Sequence, residues 1–258
     1  MTMLASQDGQ IIGSEEATVP VTDEGLIFGD GVFEVVRLYN GRPFALSEHF
    51  ARMTRSSRNL HLELDLTSFE REIEELLRIA EPRDAILRLI ATRGGHRFAI
   101  LEELKTFPDS FALVTVEYAP PLLLDGIKSL SYGANMLATR IAQERGADEA
   151  LLVDPEDRVL EAPTSSLFYA IKTGELFTPP LSDHILDSIT RRHVIAASGA
   201  KERSLMKHEL ADLSEAFVAS SVREVLPVRS IDGRELQAPG SLTEAAAAGL
   251  MRRIMSLL

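Results

Sequence analysis

The sequence predicts an α+β protein in two parts, and three observations carry that expectation. Period-two apolar segments and amphipathic helical stretches are interleaved along the chain. Both halves contain both kinds of segment, which points to a two-part α+β architecture and not a repeat array. Ala119-Pro120-Pro121 lies between them and reads as a connector. With 258 residues the chain is long enough for one large core or two modest ones sharing an interface.

In chain order, Gly29-Asp-Gly-Val-Phe-Glu-Val-Val-Arg-Leu38 reads as a strand closing on an Asn40-Gly41 turn. Residues 47–60 read as a helix, and Thr67-Ser-Phe-Glu70 is a capping box before a second helix, Phe69 to Ile79. Apolar strands follow at Ala85–Thr92 and Ser110–Val116. Beyond the connector, a helix is expected around Asn135–Gln143, ending near Gly146, then strands at Glu149–Val153 and Ser166–Ile171. Ser188 to Ala197 reads as a helix stopping at Gly199. Ala216–Ser220 and Glu224–Ile231 read as strands. Ser241-Leu-Thr-Glu244 is a second capping box, opening an Ala-rich helix that runs to the terminus.

Composition narrows the class. With 45% hydrophobic and 26% charged residues, the chain reads as an ordinary globular protein. A formal net charge of −12 argues against a nucleic-acid or anionic-membrane surface, although a few local arginines can reverse the potential inside a cleft. There is no cysteine, so disulfides, thiolate metal sites and cysteine nucleophiles are excluded. No metal site is expected. No apolar run approaches the roughly 18 residues of a membrane span, and the first residues do not read as a signal peptide. A cytoplasmic protein is the expectation.

Three features carry chemistry. Lys128 stands among Leu122–Leu124, Ile127 and Leu130. A lone lysine is ordinarily a solvated surface charge. In an apolar setting, desolvation disfavours the ammonium and makes the neutral amine available as a nucleophile. Glu161 follows a strand and a turn at Asp154–Asp157; it is either a strand-end carboxylate satisfied by amides and water, or a partner for a protonated pyridine nitrogen. Ser188-Ile-Thr-Arg191 is either a plain serine N-cap or a helix start whose Ile189 and Thr190 amides bind a phosphate. Ser220-Ser221 closes a strand with two adjacent hydroxyls and is a second candidate for phosphate or carboxylate contact. An amine, a carboxylate and a phosphate-binding helix end are what pyridoxal 5'-phosphate requires of a protein.

The ordered set Gly29-Asp-Gly-Val-Phe-Glu, His49-Phe-Ala-Arg52, Ile127-Lys-Ser-Leu, Asp148-Glu-Ala, Glu161, Leu176-Phe-Thr-Pro-Pro-Leu, Ile185-Leu-Asp-Ser-Ile-Thr-Arg191 and Val225-Leu-Pro-Val228 resembles the class IV aminotransferases across nearly the whole chain. These are pyridoxal-phosphate enzymes of fold type IV. The resemblance implies a small N-terminal α/β domain at 1–118, a connector at 119–124 and a larger C-terminal pseudo-barrel domain binding the cofactor at 125–258. It implies Lys128 as the Schiff-base lysine and later proton shuttle, and Glu161 at the pyridine nitrogen. Arg52, the Ile189 and Thr190 amides and Ser221 would bind the phosphate, with Leu186 against one face of the ring. The family usually carries Gly where this chain has Ser188, and a serine still caps a helix. A homodimer is implied, with a loop near Thr22–Phe28 reaching across.

Substrate choice is read from two strands. Phe33, Val35 and Arg37 alternate onto one face, away from Glu34 and Val36; Arg88, Ile90 and Thr92 share a face on the second strand. Arg88 is bracketed by Ile86, Leu87, Leu89 and Ile90, where a guanidinium needs an anion. Either a protein carboxylate such as Glu34 supplies it, or Arg37 and Arg88 dock a substrate carboxylate through their forked donors. Within the resemblance, Val35 is similar to the D-amino-acid transaminases and Phe33 to the branched-chain enzymes. Arg88 replaces a tyrosine common to both and is closest to the basic residue of the aminodeoxychorismate lyases. The Thr92–Arg97 segment departs from the usual D-enzyme Arg-x-His spacing. The resulting expectation is a D-amino-acid transaminase using an acceptor such as 2-oxoglutarate or pyruvate. A branched-chain L-amino-acid transaminase is the alternative, followed by a lyase. A noncatalytic phosphate-ligand binder is disfavoured because Lys128 and Glu161 are both present.

Overall fold

The computed structural model describes residues 3–171 and 174–258. Two units emerge, one of residues 1–105, 127–132 and 257–258, the other of 106–126 and 133–256.

The first unit is an antiparallel sheet of β1 (Leu4–Gln7), β2 (Gln10–Gly13), β3 (Gly31–Tyr39), β4 (Arg42–Pro43), β5 (Ala85–Thr92) and β6 (Arg97–Glu102), in the order β2-β1-β6-β5-β3-β4. Its helices are α1 (Glu24–Ile27), α2 (Leu46–Asn59) and α3 (Leu66–Ile79). The alternation expected for β3 holds. Val32 and Val36, with Leu87, Leu89 and Leu101 of the neighbouring strands, pack against Phe50 and Met53 of α2 and Phe69, Ile73 and Leu76 of α3. The opposite face carries Phe33, Val35 and Arg37, in register with Ile90, Arg88 and Ile86. The third helix starts earlier than the Thr67–Glu70 box suggests. Asp65 is the cap, accepting from the Ser68 amide at 3.0 Å, and the added turn leaves Phe69, Ile73 and Leu76 on one buried stripe. Strand β6 was not expected; charged Arg97 and Glu102 at its ends mask a short apolar run.

The second unit holds β7 (Phe111–Glu117), β8 (Glu149–Val153), β9 (Arg158–Val159), β10 (Ser166–Ile171), β11 (Leu176–Thr178), β12 (Lys201–Glu202), β13 (Leu205–Met206), β14 (Leu213–Ser220), β15 (Glu224–Ile231) and β16 (Arg234–Glu235). Their order is β12-β11-β10-β14-β15-β7-β8-β9-β13, with β16 on β15, in a curled half-barrel sheet. The helices are α4 (Gly133–Glu144), α5 (Ile189–Ser198) and α6 (Ser241–Leu257). Strand β7, read from sequence as part of the N-terminal half, runs parallel to both β8 and β15 in this sheet. Its Phe111 and Leu113 pack with Leu151, Val218 and Val228. Phe168 and Phe217, on adjacent strands, stack with centroids 4.8 Å apart.

The last helix is capped from outside its own sequence. Glu215 on β14, almost fully buried, accepts from the Leu242 and Thr243 amides at 3.2 and 2.8 Å and from the Thr243 hydroxyl at 2.7 Å. A carboxylate at a helix N-terminus satisfies orphan amides and meets the positive end of the dipole. The expected Ser241–Glu244 box is replaced by this long-range contact. Among the described residues, no helix is long and apolar enough to cross a membrane.

Candidate active site

The candidate residues divide between the units. In the first, residues 127–132 lie along the start of β3. Phe33 N–H donates to the Lys128 carbonyl at 3.1 Å, Leu130 N–H donates to the Gly31 carbonyl at 2.9 Å, and Val32 bridges Ser129. The Lys128 amide in turn donates to Ser56 Oγ on α2 at 3.1 Å. Gly31 is needed for this approach, since a Cβ there would sit 2.6 Å from Leu130 Cδ1 and 2.5 Å from the Ala91 carbonyl oxygen. Both sides of the Lys128 backbone are therefore held. The Lys128 amine lies 4.2 Å from the Phe33 ring centroid and 5.4 Å from that of Tyr132, and the two rings meet edge to face. The apolar setting is aromatic; Leu123, which sequence proximity suggested as part of it, is 95% exposed.

Arg52 belongs to a buried cluster that sequence reading did not assemble. Its Nε donates to Glu34 Oε1 at 2.7 Å and its Nη2 to Glu34 Oε2 at 2.6 Å, while His49 Nδ1 lies 2.7 Å from the same Oε2. Glu34 falls on the helix-covered face of β3, where His49 and Arg52 of α2, three residues apart, answer its charge. Burial works against the Glu34 carboxylate, but the Arg52 charge and the hydrogen bonds of Arg52 and His49 outweigh it, holding its pKa at about 2. Burial pushes the His49 pKa down, against the pull of Glu34, and the charges of Arg52 and Lys128 reinforce the shift.

Phe33, Val35, Arg37 and Arg88 share one sheet face as expected, but the arginines already have partners. Arg88 forks onto Glu102 of β6, Nη2 to Oε2 at 2.9 Å with its Nε on the other oxygen. This is the protein-carboxylate alternative; Glu34 cannot serve because it points to the opposite face. Arg37 is buried, lies over the Tyr39 ring at 5.0 Å and reaches the largely exposed Asp84 at 3.5 Å. His96 and Arg97 are also occupied, by Asp8 at 2.9 Å and Glu72 at 2.6 Å.

In the second unit, Glu161 follows β9. Its Oε1 accepts the Leu186 amide at 2.9 Å and its Oε2 faces Ser166 Oγ at 3.4 Å. Burial raises the pKa of Tyr118, and the charge of Glu161 adds to that rise. Helix α5 begins at Ile189, and Ser188 caps it by accepting the Arg191 amide at 3.2 Å. That bond leaves the Ile189 and Thr190 amides as the helix-start donors, which by geometry have no intrahelical acceptor. Arg191, itself buried, ties the first turn to the Thr178 hydroxyl, the Pro179 carbonyl and Glu202. Ser220 ends β14 and accepts the Arg223 amide at 3.2 Å, with Ser221 next in the turn. Arg223 itself was not singled out from sequence, where a charge in a turn between strands reads as solvated.

Taken by donor set, the residues suit pyridoxal 5'-phosphate: a primary amine beside aromatic rings, a carboxylate held as an acceptor, helix-start amides, and the hydroxyls of Ser220 and Ser221. Comparison with known proteins agrees. The family model described as amino-transferase class IV matches residues 31–231. D-alanine aminotransferase of Bacillus licheniformis is 33% identical across 96% of each chain. A putative branched-chain-amino-acid aminotransferase of Methanocaldococcus jannaschii is 34% identical, covering 88% of this chain and 87% of its own. A fold IV transaminase from Curtobacterium pusillum superposes with a TM-score of 0.86 at 27% identity, covering 97% of this chain and 99% of its own. The chain belongs to the class IV aminotransferases. Its fold is that of fold type IV, its cofactor is pyridoxal 5'-phosphate and its substrates are amino acids and 2-oxo acids.

The buried cluster gives a pH signature. Both shifts are downward, so the unfolded chain binds protons that the folded one refuses, and stability falls with pH. His49 contributes this loss below its ordinary value of 6.5, and Glu34 between 4.5 and about 2. The Glu34 part is on the order of 3 kcal/mol, at about 1.4 kcal/mol per pKa unit. Urea midpoints measured from pH 7 to pH 4 should fall for the parent, and less steeply between pH 6.5 and 5 for His49→Gln. Equal slopes for the two would remove His49 from this role.

Proposed function

We propose that the chain transfers the amino group of a D-amino acid to a 2-oxo acid such as 2-oxoglutarate or pyruvate. The observation that carries this reading is the β3 face on which Phe33, beneath the Lys128 amine, is followed by Val35 and the buried Arg37. Arg37 meets the exposed Asp84 carboxylate at 3.5 Å, a contact that an α-carboxylate can displace. Likeness to D-alanine aminotransferases over nearly the whole chain supports the same choice. Arg88 is a weaker contact than its sequence setting implies, because Glu102 already fills its fork.

The roles follow from chemistry. When bound, pyridoxal 5'-phosphate supplies an aldehyde that an amine can capture and a protonated ring that accepts an electron pair. Lys128 would hold the cofactor by its Nζ and would move the proton at the substrate α-carbon. Glu161, with its Oε1 fixed by the Leu186 amide, would hold a proton on the ring nitrogen, and Leu186 would pack against the ring. The Ile189 and Thr190 amides, Ser220 and Ser221 bind the phosphate. Arg52 adds positive charge there, oriented by Glu34 and His49. The second reading, a branched-chain L-amino-acid transaminase, is favoured by the Methanocaldococcus relative. We also infer a homodimer, because α1 and the residue after it leave Leu26, Ile27 and Phe28 more than half exposed.

Purified protein should be yellow, and Lys128→Ala should abolish the colour; Glu161→Gln should keep the cofactor and slow α-proton removal on the order of a hundredfold or more. Undiminished turnover in Glu161→Gln would remove its assigned role. In single-turnover reactions of the yellow form with D- and L-amino acids, D-substrates should react. Consumption of only L-leucine, L-isoleucine and L-valine would establish the second reading instead. Arg37→Leu should raise KM for amino acids about tenfold, and Arg88→Leu by less than about threefold; the reverse ranking would transfer the carboxylate role to Arg88. Sedimentation at micromolar concentration should return twice the single-chain mass, and a single-chain mass would reject the dimer.

A further inference from the structure

We propose that Arg223 is a positioning residue that locks the loop after Glu161 to the turn bearing Ser220 and Ser221, so that the two keep a fixed register. The inference rests on the reading of Glu161 as the ring-nitrogen carboxylate and of Ser221 as a phosphate contact.

The argument begins with the loop. Glu161 leads into Ala162-Pro-Thr-Ser165, closed by two backbone hydrogen bonds between Ala162 and Ser165 at 2.9 and 3.2 Å, and Ser166 then opens β10. Asn135 of α4 anchors one side of this loop through the Pro163 carbonyl at 3.0 Å. Arg223 anchors the other. Its Nη1 donates to Thr164 Oγ1 at 2.8 Å and to Ser165 Oγ, while its Nη2 donates to Glu149 Oε2 at 3.0 Å. Its own amide closes the Ser220 turn. The guanidinium lies 5.3 and 5.1 Å from the Phe107 and Phe111 ring centroids.

This arrangement is expensive to maintain. Burial pushes the Arg223 pKa down, opposed by Glu149, and its Nε is buried without an acceptor. A lone salt bridge to Glu149 does not call for the two hydroxyl contacts, nor for an arginine, since a lysine meets one carboxylate as a point charge. A planar fork that spans Glu149 on one side and two consecutive loop hydroxyls on the other does call for one. The consequence is that the carboxylate and the phosphate hydroxyls, on separate strand ends, share one rigid tie. A displacement of an ångström at either end weakens oriented contacts disproportionately.

The test titrates cofactor-free protein with pyridoxal 5'-phosphate and follows the visible absorbance of the bound form against pH. Arg223→Gln should weaken cofactor binding about tenfold and move the pH midpoint of the visible band. The double variant Thr164→Ala with Ser165→Ala keeps the Arg223–Glu149 pair and should weaken binding to a similar degree, which keeps the test open if Arg223→Gln fails to fold. Affinity within about twofold of the parent and an unmoved midpoint, in the double variant or in a folded Arg223→Gln, would make Arg223 a structural ion pair and overturn the proposal. A parent whose visible band survives Lys128→Ala would overturn the underlying reading and the proposal with it. A band lost in Lys128→Ala but unaltered in both clamp variants defeats the clamp alone.

Discussion

The backbone at position 128 is held by hydrogen bonds from β3 and α2, and these root the lysine side chain. The 127–132 segment leaves the second unit to run beside β3, where Gly31 and Phe33 exchange main-chain hydrogen bonds with Leu130 and Lys128. A lysine side chain has four rotatable carbons and considerable rotamer entropy, so precision at its nitrogen has to come from a fixed root and a confining wall. Ser56 and Phe33 fix the root. Phe33 and Tyr132 form the wall, and their π faces also suit a cationic amine.

Each unit then buries a guanidinium–carboxylate pair close in sequence to residues of the proposed chemistry. Such pairs are weak sources of net stability because desolvation cancels much of the attraction. Their geometric value is another matter. Glu34, on the helix-covered face of β3, fixes the orientation of Arg52, and Glu149 with two hydroxyls fixes Arg223. In both cases a side chain of many rotamers is reduced to one, which is what an oriented site requires.

The arginines of the substrate face illustrate the opposite case. Arg37 and Arg88 stand on adjacent strands in nearly the same register and would look equivalent from the strand pattern alone. They differ by what lies one strand further. Beyond Arg88 is β6, whose Glu102 meets its fork; beyond Arg37 is the β3–β4 turn, with Asp84 at a distance where solvent screens it. The two arginines are therefore distinguished by the protein's own carboxylates, Glu102 for Arg88 and Asp84 for Arg37.

Much of the fold was legible in the chain. Strands β5, β8, β10 and β15 fall where alternating or continuous apolar runs predict them, because period and length are local properties. The family motifs around Lys128, Glu161 and Ile189–Thr190 were equally visible, since each is a short run of residue types with a chemical reason to be together. Tertiary structure decided what depends on contacts distant in sequence. It moved β7 into the second sheet, because Phe111 and Leu113 complete a core built by strands more than thirty residues later. It capped α6 with Glu215, gave Arg88 to Glu102, and gathered Glu34, His49 and Arg52 into one buried cluster. The physical reason is common to all of these. Periodicity assigns a residue to a face, but a buried charge or an open helix end is satisfied by whatever partner the folded chain brings to it, and that pairing has no local signature.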